Sequence, residues 1–172
     1  MSTDQPTKSQ DERFVDYIIK RCESDNGVAA ALRRADNPST QHQSWSVLAQ
    51  FNVDLENATD RLTYALVASS IAHAKATLDG QYSLGTAIAR SYPDSSASPQ
   101  ASARLRRLLA CDDVQEVVTV LRPMLSLVRG RGVSVKHSQL LRDLRSFRFD
   151  PTATKARWAA DFYRTETKEK AE

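Results

Sequence analysis

Apolar residues in this chain recur at spacings of three and four almost from end to end, a period that helices satisfy and strands do not. Phe14, Val15, Ile18, Ile19 and Cys22 form one such stripe, and Leu62, Ala65, Leu66, Ser69 and Ala72 another. Leu140, Leu141, Leu144 and Phe147 form a third, and Trp158 and Phe162 stand four apart near the end. Clean alternation occurs only at Val133–Val135, too short to build a sheet. The Val- and Leu-rich stretch from Val114 to Arg129 suits either state, but its length and the pair Asp113-x-x-Glu116 decide for helix. Only five of 172 residues are glycine, below the average of about 7%. The fold class expected is all-α, with about nine helices in two small bundles.

Helix starts are legible as short polar side chains ahead of apolar runs. Ser9-x-x-Glu12 reads as a capping box, Ser98-Pro99 as an N-cap followed by proline at the first helical position, and Asp150-Pro151 as another. Between Tyr92 and the next apolar run lies Pro93-Asp-Ser-Ser-Ala-Ser-Pro99, polar and free of large apolar residues, which reads as a linker. The expected organisation is an N-terminal helical bundle over residues 10–94 and a basic C-terminal bundle over 99–168. Residues 1–9 and 169–172 are expected to be flexible ends.

Several chemistries lack their residues. There is no G-x-x-x-x-G-K-[ST] or G-x-G-x-x-G phosphate loop, and His42, His73 and His137 are far apart in sequence, so no metal or cofactor is expected. Gly130 and Gly132, flanked by Arg129 and Arg131, suit either a phosphate-holding turn or a plain helix end. Asp112, Asp113 and Glu116 are the densest acidic group of the C-terminal half, yet helix capping accounts for them more simply than Mg²⁺ binding. Cys22 and Cys111 are too few for a disulfide framework and read as inert, which fits a reduced cytoplasmic setting. The first residues do not read as a signal peptide, and no apolar run is long enough to span a membrane. No catalytic residue is expected.

Charge is the informative quantity. Residues 101–148 carry ten cations, nine of them arginine, against four acids, whereas residues 1–100 carry nine cations against twelve acids. The formal net charge of +3 therefore conceals a basic segment beside an acidic one. Arginine's planar fork matches phosphate geometry, and such asymmetry suits a polyanionic partner. Arg142 and Arg145 lie opposite the apolar stripe of their helix, with Asp143 as the nearest acid to serve them. Aromatic residues are few in this segment, so contact with a nucleic-acid backbone is expected rather than base stacking.

The stretch Asp25-Asn-Gly-Val-Ala-Ala-Ala-Leu-Arg33-Arg34-Ala resembles the N-terminal block of the CasB family, the small subunits of the type I-E CRISPR surveillance complex, Cascade. Ser83-Leu-Gly-Thr-Ala-Ile-Ala89, Arg104-Leu-Arg-Arg-Leu-Leu109 and Leu140-Leu-Arg-Asp-Leu144 with Phe147 and Trp158-Ala-Ala-Asp-Phe-Tyr163 match further blocks in the family's order. They cover about residues 10–164. The chain departs at Phe147, where relatives often carry tryptophan. The resemblance implies a non-catalytic, all-helical protein, present as two copies and contacting crRNA, target DNA including the displaced strand, and other Cascade subunits. The positions that match the family's basic residues are Arg33, Arg34, Arg104, Arg107, Arg131, Lys136, Arg142 and Arg145. Two other readings stand beside it. One is a sequence-specific helix-turn-helix regulator built on Ser83–Arg90 and the basic helix after it, although Pro93–Pro99 is long for the tight turn. The other is a scaffold whose arginines meet acidic proteins.

Overall fold

Each long helix begins where a polar side chain takes up a backbone N–H that the helix cannot satisfy itself. The Ser9 hydroxyl accepts from the Glu12 N–H while the Glu12 carboxylate accepts from the Ser9 N–H, closing the expected capping box. Asp25, Asn57, Ser98 and Asp113 cap four further helices in the same way, and Asp150 accepts from the Ala153 N–H. The computed structural model describes residues 6–169, with side chains through Thr165. Nine α-helices are present among them: α1 (Gln10–Ser24), α2 (Asn26–Arg33), α3 (Trp45–Gln50), α4 (Ala58–Ala74), α5 (Leu84–Arg90), α6 (Pro99–Leu109), α7 (Val114–Gly130), α8 (His137–Phe147) and α9 (Pro151–Glu169). No strand occurs among the described residues; Tyr82 and Val135 form one isolated parallel bridge. The all-α expectation holds, and the Val-rich stretch is helix throughout, with Pro123 inside it.

α4 is the axis of the packing. Residues from Thr63 to Ser69 are buried without a break, so the helix has no solvated face through its middle. A helix apolar on all sides belongs inside a protein, and α1, α2, α7 and α8 all pack against it. The most extensive helix–helix contact is that of α5 with α9. There Leu84, Ala87 and Ile88 meet the side carrying Trp158 and Phe162, all fully buried. Gly85 makes this approach possible, because a Cβ on it would lie 2.1 Å from the Trp158 carbonyl oxygen.

The helical groups on either side of residue 94 share one core, a continuous cluster that includes Phe14, Leu66, Leu105, Leu144 and Phe162. Direct packing of α1 on α8 and of α4 on α7 and α8 joins them. The expected linker is itself folded. It holds a turn of 3₁₀ helix at Ser95–Ala97, with Ser95, Ser96 and Ser98 buried and Ser95 in a left-handed conformation (φ 51°). Its small side chains mark close packing against α9, not mobility. Of the ends expected to be flexible, residues 1–5 and 170–172 lie outside the described residues, while Ser9 is fixed as a cap.

Candidate nucleic-acid interface

Contacts gather the expected basic residues into separate groups. Arg104 and Arg131, 27 positions apart by number, meet at Tyr92. The Arg104 Nε donates to the Tyr92 hydroxyl at 2.5 Å, and the Arg131 guanidinium lies 5.4 Å from the ring centroid. Arg131 also donates to the Ser91 carbonyl. Arg33 ends α2, where its carbonyl oxygen receives the hydroxyl of Ser69 and faces the His73 ring. Arg34 is exposed and reaches Gln43. Arg107 on α6 is exposed, and its guanidinium makes no hydrogen bond or ion pair among the described residues.

Arg142 and Arg145 do not stand free of the fold, contrary to expectation. The buried carboxylate of Asp11 on α1 accepts from Arg145 at 2.7 Å and lies 3.8 Å from Arg142 Nε. Asp143, the acid expected to serve several arginines, faces inward instead. It accepts from Trp158 Nε1 at 2.8 Å, Gln139 at 2.9 Å and Arg157 at 3.1 Å. Burial pushes its carboxyl above the usual range, and these donors oppose the shift.

Lys136 lies in a cleft that sequence reasoning missed. This cavity of about 570 Å³ is walled by the 81–83 turn, α5 and α9. Arg90, Lys136, Arg157 and Arg164 line it against one carboxylate on the same wall, Asp161. Arg90 stacks over Tyr82 at 4.6 Å, Arg164 lies 3.8 Å from Asp161, and Lys136 has no ion pair among the described residues. Ser83, Thr86 and Thr165 add hydroxyls. Charge counting passed over Arg157 and Arg164 because residues 149–172 carry five cations and five acids and so cancel, and over Arg90 because it lies in the acidic first hundred residues. The seven-residue spacing of Arg157 and Arg164 on α9, two helical turns, was the signal that could have found them.

Other candidates resolve structurally. The N–H groups of Arg131, Gly132 and Val133 bond to carbonyls of α7, so the Gly130–Gly132 turn is a helix end whose donors are already occupied. Asp113 and Glu116 accept the N–H groups of Glu116 and Asp112, as capping requires. Burial raises the thiols of both Cys22 and Cys111 above their ordinary range. No three His, Cys, Asp or Glu side chains among the described residues are placed to hold a metal ion, and no described helix is long and apolar enough to cross a membrane. Between α5 and α6 stands the folded 91–98 segment, not a tight turn, and α5 is largely buried.

The family model described as CRISPR-associated protein Cse2 matches residues 28–163. Among solved structures, the chain is similar to CasB of M. ruber at 26% identity, with a TM-score of 0.76 over 96% of this chain and 98% of that one. CasB from Thermus thermophilus matches at 25% identity and a TM-score of 0.72, covering 91% of this chain and 99% of that one. A chain of a CRISPR RNA-guided surveillance complex shares the fold at 22% identity and a TM-score of 0.74, over 95% and 98% of the two chains. No curated protein sequence matches.

Proposed function

The chain belongs to the CRISPR-associated Cse2 family, and from that membership we propose that it is the non-catalytic small subunit of an RNA-guided type I-E interference complex. It contacts crRNA and target DNA through their backbones and steadies the displaced strand of the R-loop. Its partners are the other Cascade subunits and a second copy of itself. The observation that carries this reading is the surplus of cations left on the surface once internal pairs are subtracted. Arg34, Arg107 and Lys136 are exposed without an acid, and in the 81–83/α5/α9 cleft Arg90 joins Lys136 as surplus once Arg157 is paired with Asp143 and Arg164 with Asp161.

The physics suits the role. In RNA-guided recognition, base pairing reads sequence, and exchanging a DNA duplex for an RNA–DNA hybrid is nearly balanced. Modest contacts to a displaced strand therefore tip the equilibrium, and counterion release supplies them without reading bases. Binding of labelled single-stranded DNA, RNA and duplex DNA across a salt series tests the proposal. The logarithm of affinity falls linearly with that of salt, by roughly 0.7 per phosphate neutralised on a single strand, and scrambled strands of equal length bind alike. Strong preference for one sequence would point to a regulator instead.

A further inference from the structure

Beside α7, where it packs on α4, lie two adjoining cavities of about 450 and 200 Å³ that share Ser70, Leu125 and Arg129. Their chemistry is graded. Leu78, Leu125, Val133 and Val135 wall the larger one, with the tip of Leu78 at its exposed rim. Arg122, Arg129 and His73 wall the smaller, together with the hydroxyls of Ser69, Ser70 and Ser126. Joined, they fall within the roughly 300–1,000 Å³ of small-molecule sites, which are mostly apolar with a few placed polar groups.

Each cavity also has a buried polar atom without a hydrogen bond on a residue of its wall, His137 Nδ1 in the larger and Arg122 Nε in the smaller. Such atoms are rare in folded proteins. The groups around His137 are otherwise used. Ser70 Oγ meets its Nε2 at 3.0 Å, and Asp79 accepts the N–H groups of His137 and Ser138, leaving Nδ1 3.9 Å from the Asp79 carboxylate, too far for a hydrogen bond. Arg122 Nε itself lies 3.3 Å from an Asp36 carboxylate oxygen, an ion pair without hydrogen-bond geometry, and Asp36 is its one acidic neighbour in the smaller cavity. Lys75 is the remaining charged residue on the larger wall.

We propose that the paired cavities bind one nucleoside monophosphate unit, its ring among the apolar walls beside His137 and its phosphate at Arg122 and Arg129. A planar base offers both an apolar face and a hydrogen-bonding edge, and an arginine pair suits the phosphate. The unit is either a free nucleotide or an unpaired residue of a strand. This site adjoins the 81–83/α5/α9 cleft at Gln81, which lines both, but uses none of that cleft's cations and does not depend on backbone contacts there.

Titration of the isotopically labelled full chain with adenosine and uridine monophosphates, followed by NMR, tests the proposal. Saturable shifts are expected at the amides of Ser70, Leu125 and His137 and at the His137 ring nitrogens, while inorganic phosphate alone leaves the ring signals in place. The double variant Arg122→Gln/Arg129→Gln loses about tenfold in affinity for the monophosphate but not for the nucleoside. Asp36→Asn, which removes the acid competing for Arg122, binds more tightly. Ala74→Trp, at an exposed position on the larger wall, blocks binding without lowering the melting temperature. A short thymidine oligomer that displaces the nucleotide identifies a strand as the source, and one that binds without displacing it identifies the free nucleotide. Absence of saturation at millimolar nucleotide, or binding that Ala74→Trp leaves intact, overturns the proposal.

Discussion

At His137 burial and a nearby carboxylate pull in opposite directions, and burial wins. The ring is lowered to about 4, with Asp79 opposing the shift. The unfolded chain holds the proton up to about 6.5, so between these values it binds more protons than the folded protein. Stability is therefore complete above pH 6.5 and declines as pH falls toward 4, by roughly 3 kcal/mol. Urea unfolding across that window checks it, and His137→Gln flattens the dependence it causes. The arginines divide by the same reasoning. Arg145→Ala leaves the Asp11 carboxylate buried with only the longer Arg142 contact, at a cost of roughly 1–3 kcal/mol. Arg107→Ala touches nothing buried and stays within about 0.5 kcal/mol. Denaturant midpoints of the two variants, measured beside their affinities for single-stranded DNA, separate a structural arginine from one free for a partner.

At the scale of elements, the contact between α5 and α9 is set by backbone approach as much as by side chains. Gly85→Ala places a methyl 2.1 Å from the Trp158 carbonyl oxygen and 2.8 Å from the Phe162 nitrogen, atoms that cannot swing aside. The helices must separate, which also loosens Trp158 Nε1 from Asp143. The expected loss is about 1–3 kcal/mol or more, read as a lower melting temperature and faster amide exchange in both helices. α8 is held differently. Lys136, the residue just before it, offers no side-chain cap, and Asp79, from the loop after α4, accepts its first N–H groups instead. That arrangement explains why no capping pattern precedes α8 in the sequence.

The whole molecule unfolds as one unit if the shared core governs its cooperativity. The two tryptophans lie in different halves, Trp45 partly exposed on α3 and Trp158 fully buried on α9. Fluorescence of Trp158→Phe, which reports Trp45 alone, and of Trp45→Phe, which reports Trp158, should each trace the same midpoint as circular dichroism of that variant. Separate midpoints within one variant would show the helices before and after residue 94 folding independently. Helix number, type and most starting points were determined by the sequence itself, because capping and apolar periodicity act within three or four residues. Ser9, Ser98, Asp113 and Asp150 each bond to an N–H that close in sequence. The overall basic character was equally local, a matter of counting. Tertiary structure alone decided which cations remain available. Asp11 reaches Arg145 across 134 positions, Asp79 reaches His137 across 58, and Arg157 and Arg164 join Arg90 and Lys136 in one cleft. Whether a charge is neutralised depends on what lies within a few ångströms of it, and that is fixed by how α1, α5, α8 and α9 cross, a quantity that no short window of sequence contains.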